Sequence, residues 1–242
     1  MLQPGSGREV HRVGVLGGSF DPIHIGHLIA AECARDALGL DLVLFVPAQR
    51  SPLKEAEWAA AAHRLAMVQL AIAGQPCFAL STVDLDRPPP SYTVDTLALL
   101  CQRHPRASFW FILGYDAYLD LHRWRDVEAI LRLAELVVVN RPRVLRAPGV
   151  DVAGPFTDDH PTAGWHTAPR VRFLESPAIG ISSTDIRQRV RAGRTITYQV
   201  PAAVERYIAT HCLYCDRRSD DGDEDHDQDG GERPHGAARA AG

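Results

Sequence analysis

Residues 12–27 read RVGVLGGSFDPIHIGH, and residues 27–38 continue from there as a helical segment. A β-branched strand thus runs into a glycine turn and then directly into a helix. Gly17 and Gly18 let the backbone turn sharply and approach a ligand closely, while the helix start presents free N–H groups carrying partial positive charge. Strand, glycine turn and helix N-terminus together make an anion-binding arrangement. The run is neither a G-x-G-x-x-G dinucleotide fingerprint nor a G-x-x-x-x-G-K-[ST] phosphate loop, so neither of those nucleotide-binding classes has support.

Outward from this stretch, short β-branched runs alternate with longer helical segments. Strands are predicted at 13–16, 42–46, 78–82, 109–113, 136–139 and 171–174. Helices are predicted at 27–38, 57–73, 93–103, 127–133, 183–192 and 202–211. Gly39, Gly74 and Gly193 stand where helices should stop, and Pro201 fits a first helical turn. This alternation predicts an α/β fold, a Rossmann-like doubly wound parallel sheet with helices on both faces. Residues 141–170, with five prolines and three glycines, break the rhythm and read as a surface excursion, either a lid or an insertion.

The 242 residues are 45% hydrophobic and 23% charged, the balance of a globular chain. The net charge of −4 is uneven: residues 216–242 carry −5 and residues 1–215 carry +1. A near-neutral body argues against non-specific binding of nucleic acid, which needs a stripe of cations. The low-hydropathy acidic stretch predicts a disordered C-terminal tail, after a flexible segment at 1–11 and one domain at 12–215. No apolar run suits a signal peptide or a membrane span, and the five cysteines lack framework spacing, so a cytoplasmic location is expected.

His24 and His27 are three residues apart where the chain enters the helix, so both rings can lie on one side of its first turn. Gly26 between them leaves room for a ligand. Such a pair suits stabilisation of charge on a transferring phosphoryl group; a metal would need further ligands that the neighbourhood does not offer, and none is expected. A second anion-binding candidate is Gly180-Ile181-Ser182-Ser183-Thr184-Asp185-Ile186-Arg187, with hydroxyls at a helix N-cap and an arginine one turn later. Of the 26 basic residues only Lys54 is lysine, in the irregular segment after the second strand.

GGSFDPIHIGH resembles the signature of the H-x-G-H nucleotidyltransferases, which also include class I aminoacyl-tRNA synthetases, and ISSTDIR is similar to their I-S-S-T-x-I-R element. Three further stretches narrow the resemblance: PSYTVDTL (90–97), FILGYD (111–116) and LHRWR (121–125). They resemble the bacterial nicotinate-nucleotide adenylyltransferase family, over about residues 12–212. The resemblance implies transfer of AMP from ATP to nicotinate mononucleotide, giving deamido-NAD and pyrophosphate in NAD biosynthesis. ATP would arrive with Mg²⁺, and no tightly bound cofactor, nucleic acid or membrane partner is implied.

It also implies roles for individual residues. His24, His27, Lys54 and Arg187 would be catalytic, while Gly17, Gly18, Ser19, Phe20, Ile181, Ser182 and Ser183 would hold ATP and its phosphates. Tyr92, Thr93, Gly114, Asp116, Trp124 and Arg125 would bind the nicotinate nucleotide, Asp116 at the ribose and Trp124 on the pyridine ring; Arg141 would lie on the adenosine side. Arg125 stands where the family often has tyrosine, so it either adds a cation for the nicotinate carboxylate or points to solvent. Cys212 and Cys215, in place of a usually cysteine-free ending, read as ordinary thiols rather than a metal clip. The rival readings are an adenylyltransferase for nicotinamide mononucleotide or another phosphorylated small molecule, and a non-catalytic nucleotide sensor of the same fold.

Overall fold

The computed structural model describes residues 9–49, 59–139, 169–177 and 179–215. Strands β1 (Arg12–Gly18), β2 (Leu42–Pro47), β3 (Phe78–Leu80), β4 (Ser108–Gly114), β5 (Ala134–Val139) and β6 (Val171–Leu174) form one sheet in the order β3-β2-β1-β4-β5-β6. Every pairing is parallel, with Val13 of β1 opposite Leu42 on one side and Phe109 on the other. The helices among the described residues are α1 (Ile25–Leu38), α2 (Ala61–Ile72), α3 (Thr93–Arg103), α4 (Tyr115–Leu119), α5 (Val127–Leu133), α6 (Ser183–Arg191) and α7 (Ala202–Thr210). A short 3-10 turn, Leu121–Arg123, follows α4.

Burial on both faces of the sheet explains why the strands read as unbroken apolar runs. In β2, Leu42, Leu44 and Val46 enter one core and Val43 and Phe45 the other. The first core is closed by Leu97 and Leu100 of α3, Tyr118 of α4 and Ile130 of α5. The second is closed by Ala30, Ala31 and Ala34 of α1, Met67 of α2, Ile186 of α6 and Val204 of α7. The doubly wound parallel sheet with helices on both faces is therefore present. Gly14 in β1 is required by close packing, since a Cβ there would lie 2.9 Å from Leu40 Cδ1 and 3.0 Å from Ile112 Cδ1.

The chain builds outward from β1 through β2 to β3, then returns to β4 and builds the other way. The helix after β1 covers one face and the helix after β4 the opposite face. A reversal of this kind opens a crevice beyond the C-terminal ends of β1 and β4, where doubly wound sheets bind ligands. The GGSF loop and the GYD segment lie at those two ends.

Three elements differ in detail from what the sequence predicts. The second helix begins at Ala61, not in the fifties, because the Ala59 N–H donates to Asp21 Oδ1 (3.1 Å) and the Ala59 carbonyl accepts from Arg64 Nε (3.1 Å). Helix α4 was not predicted, since five residues are too few for periodicity to show. Strand β3 is only three residues long, and beyond it the Ser81 N–H still donates to the Phe45 carbonyl (2.9 Å). The expected tail, Lys54, Arg141 and nearly all of the 141–170 excursion lie outside the described residues. No helix among those described is long and apolar enough to cross a membrane.

Candidate active site

His24 is the N-cap of α1, and His27 lies in that helix's first turn. The two imidazoles stack with ring centroids 3.7 Å apart and an interplanar angle of 26°. The His24 backbone N–H donates to His27 Nδ1 at 3.2 Å. Accepting at Nδ1 leaves the ring proton of neutral His27 on Nε2. His24 is 7% exposed, and burial pulls its pKa down to about 4, so the ring is neutral at pH 7. Its Nδ1 is buried with no hydrogen-bond partner among the described residues.

The space at Gly26 has a different occupant from the ligand expected. A Cβ at this position would lie 3.0 Å from His24 Nδ1 and 3.1 Å from its Cε1, so the missing side chain makes room for the His24 imidazole. Phe20, in a left-handed conformation (φ 48°) and fully buried, packs edge-on against His27 with centroids 5.1 Å apart. Its role here is to wall the histidine pair from below. Gly18 accommodates the same ring, since a Cβ there would be 3.3 Å from Phe20 Cζ.

Three residues that the sequence reading passed over hold this loop in place. Arg64 of α2, 2% exposed, donates from Nη1 to the Ser19 and Ala48 carbonyls (both 2.8 Å) and from Nε to the Ala59 carbonyl. It thereby joins the glycine loop to the segments flanking the 50–58 region. Its signal in the sequence was an arginine three and four residues before Met67 and Val68, on the apolar face of a helix. Asp21, 1% exposed, accepts at Oδ1 from the Tyr214 hydroxyl (2.7 Å) and from the Ala59 N–H (3.1 Å). Nothing local in the sequence links Tyr214 to Asp21.

The second segment predicted to bind an anion is brought to the first. Ser182 is the N-cap of α6, its Oγ accepting from the Asp185 N–H at 3.0 Å as expected. Ser183 Oγ donates to the Pro22 carbonyl (2.9 Å) and Arg187 Nη1 to the Asp21 carbonyl (2.7 Å), placing α6 directly against the histidine loop. Ile181, just before the cap, packs on the core face that holds α1. Both predicted phosphate contacts, Ser183 and Arg187, thus bind loop backbone.

Across the crevice, Gly114 ends β4 and exposed Asp116 lies in the first turn of α4. Trp124 packs edge-on against Phe111 of β4, ring centroids 5.9 Å apart. Tyr92 is the N-cap residue of α3 and Thr93 its first residue. Arg125 does not simply point to solvent: its guanidinium lies 4.1 Å over the Tyr92 ring and pairs with Asp95. Cys212 and Cys215 are free thiols, and no group of three metal-binding side chains occurs among the described residues.

A parallel sheet in this order with an H-x-G-H pair at its switch point defines a nucleotidyltransferase of the cytidylyltransferase-like class, whose sequence model matches residues 15–189. A protein of Roseiflexus sp. (strain RS-1) named "Probable nicotinate-nucleotide adenylyltransferase" is 47% identical over 204 residues, 84% of this chain and 97% of that one. A Thermus thermophilus protein of the same name is 45% identical over 203 residues, 84% of this chain and 99% of its own. The chain belongs to the nicotinate-nucleotide adenylyltransferase family. The fold likeness extends to the Plasmodium falciparum nicotinic acid mononucleotide adenylyltransferase complexed with NaAD, at 19% identity and a TM-score of 0.67, covering 84% of this chain and 97% of that one.

Proposed function

We propose that this chain transfers AMP from ATP to nicotinate mononucleotide, releasing pyrophosphate and deamido-NAD. The observation that carries this reading is the stacked His24–His27 pair at the N-terminus of α1, at the mouth of the β1–β4 crevice. It stands in a chain 47% identical to a relative named for this activity. The 5′-phosphate of nicotinate mononucleotide attacks the α-phosphorus of ATP in line. A bond forms between that phosphate oxygen and the α-phosphorus as the bond from the α-phosphorus to the bridging oxygen breaks. The electron pair leaves with pyrophosphate, and since the nucleophile is already an anion, no general base is needed.

Catalysis is then positioning and charge stabilisation. His24 is neutral and donates through one ring nitrogen, and His27 donates through Nε2; the N-terminus of α1 adds its partial positive charge. Lys54 and Arg187 supply the cations, and Gly17, Gly18, Ser19 and Ser183 the phosphate cradle. ATP enters as its Mg²⁺ complex, the ion held by phosphate oxygens and water as part of the substrate. On the acceptor side Trp124 stacks on the pyridine ring, Asp116 binds ribose and the backbone at Thr93 meets the carboxylate. Arg141 contacts the adenosine end.

The test is a paired measurement of kcat/KM for nicotinate and nicotinamide mononucleotides, read by pyrophosphate release. A clear preference for the acid is expected. Preference for the amide would move the chain to the rival substrate, and absence of pyrophosphate release with either would leave the sensor reading.

A further inference from the structure

Asp21 lies between the glycine turn and the histidine pair, and its carboxylate is almost completely buried. Three separate parts of the chain grip it. The Ala59 N–H, before α2, donates to Oδ1; Arg187 of α6 donates to its backbone carbonyl and lies 3.8 Å from Oδ2; and the Tyr214 hydroxyl donates to Oδ1 at 2.7 Å. Oδ2 has no hydrogen-bond partner among the described residues, so Oδ1 carries the carboxylate's hydrogen bonds. Buried carboxylates need such partners, and losing one leaves the rest of the site to shift.

Tyr214 reaches Asp21 from 193 positions away, on the turn that follows α7. Cys212 and Tyr214 both adopt left-handed backbone conformations, φ 47° and 64°, which non-glycine residues hold only when their surroundings fix them. The Leu213 N–H donates to the Ile208 carbonyl at 3.0 Å, and Leu213 and Tyr214 pack on the core face shared with α1, α2, α6 and α7. Burial and the neighbouring Asp21 push the phenol's pKa up, so it remains a donor.

We propose that Tyr214 is a positioning residue for the adenylyl transfer, acting through Asp21 to set the loop that carries His24 and His27. The kinetic arm of this inference rests on the proposed function. Asp21 precedes His24 by three residues, so a change in its anchoring is passed along a short backbone path to the stacked rings. The same carboxylate faces Arg187, so Tyr214 also sets the distance between the histidine pair and α6. The C-terminal turn is thereby part of the site although it contributes no group to the substrate.

The test compares Tyr214→Phe with Tyr207→Phe in the full chain. Tyr207 loses a similar bond, its hydroxyl lying 3.0 Å from His63 Nδ1 on the same core face, but among the described residues that hydroxyl makes no hydrogen bond to residues 17–27. Tyr214→Phe is expected to lower kcat about tenfold or more, with KM for nicotinate mononucleotide little changed, while Tyr207→Phe keeps kcat. The ¹⁵N ring signals of His24 and His27 are expected to move in Tyr214→Phe and not in Tyr207→Phe, at similar loss of Tm. Equal kcat and unmoved histidine signals in the two variants would overturn the proposal. Wild-type protein that releases no pyrophosphate would overturn the proposed function instead, and the histidine signals would then decide the positioning role alone.

Discussion

His27 Nδ1 accepts the backbone N–H of His24 while the two rings stack 3.7 Å apart, so the His24 backbone orients the His27 ring and the stacking holds the two rings together. Replacing either ring removes a preorganised donor, for which losses of about 10²–10³ in turnover are typical. His24→Ala and His27→Ala should each fall in kcat by at least that range while remaining folded by circular dichroism. His27→Ala should also disturb the His24 ring, because the ring it stacks on is gone.

The pH dependence of stability follows from the burial of His24. Its pKa of about 4 in the folded chain lies below the ordinary 6.5, so as pH falls the unfolded chain takes up the proton first. The stability held by the neutral ring is complete above about pH 6.5 and is lost as pH drops toward 4, by up to about 3 kcal/mol. Urea midpoints of wild type and His24→Asn, compared at neutral and mildly acid pH, measure it. The wild type should lose more stability on acidification than the variant.

Gly26→Ala separates stability from activity. Alanine in the first turn of α1 gains roughly 0.5–1 kcal/mol of helix propensity, yet its Cβ meets the His24 ring at 3.0 Å. The expected outcome is a Tm close to or above wild type with a clear loss of kcat. Unchanged kcat would show that the ring has slack.

Arg64→Met removes a buried guanidinium that serves the Ser19, Ala48 and Ala59 carbonyls and leaves them without that donor. A destabilisation of about 3 kcal/mol is expected, read from denaturant unfolding. Arg64→Lys keeps the charge but not the fork geometry, and should recover only part of it.

The charge of Arg125 is already engaged by Asp95, and its plane by Tyr92. Arg125→Ala should therefore leave the ratio of kcat/KM for acid and amide mononucleotides nearly unchanged. Asp95→Asn, which frees the guanidinium, should raise that ratio. A fall in the ratio for Arg125→Ala would show that the arginine serves the nicotinate carboxylate after all.

Much of the fold was legible because strands buried on two faces and helices buried on one leave strong local patterns. The six strands, the glycine turn and the two candidate anion-binding segments each announce themselves within a dozen residues. The positions of His24, His27 and Ser182 at helix starts follow from residue type and spacing, and the Ser182 cap matches. Helix α4 escaped because a single turn has no period, and the start of α2 because a side chain on a distant loop takes the Ala59 N–H.

What the sequence determined by itself was therefore local: periodicity, glycine turns, caps and the motif that places the chain in its family. Only the tertiary structure decided that Arg125 is held by Asp95, that Gly26 makes room for an imidazole, and that Arg64 and Tyr214 fasten the histidine loop. Those contacts join residues up to 193 positions apart. Such pairings depend on which faces meet once the sheet is built, and at Arg64 and Asp21 burial then makes the hydrogen bonds obligatory.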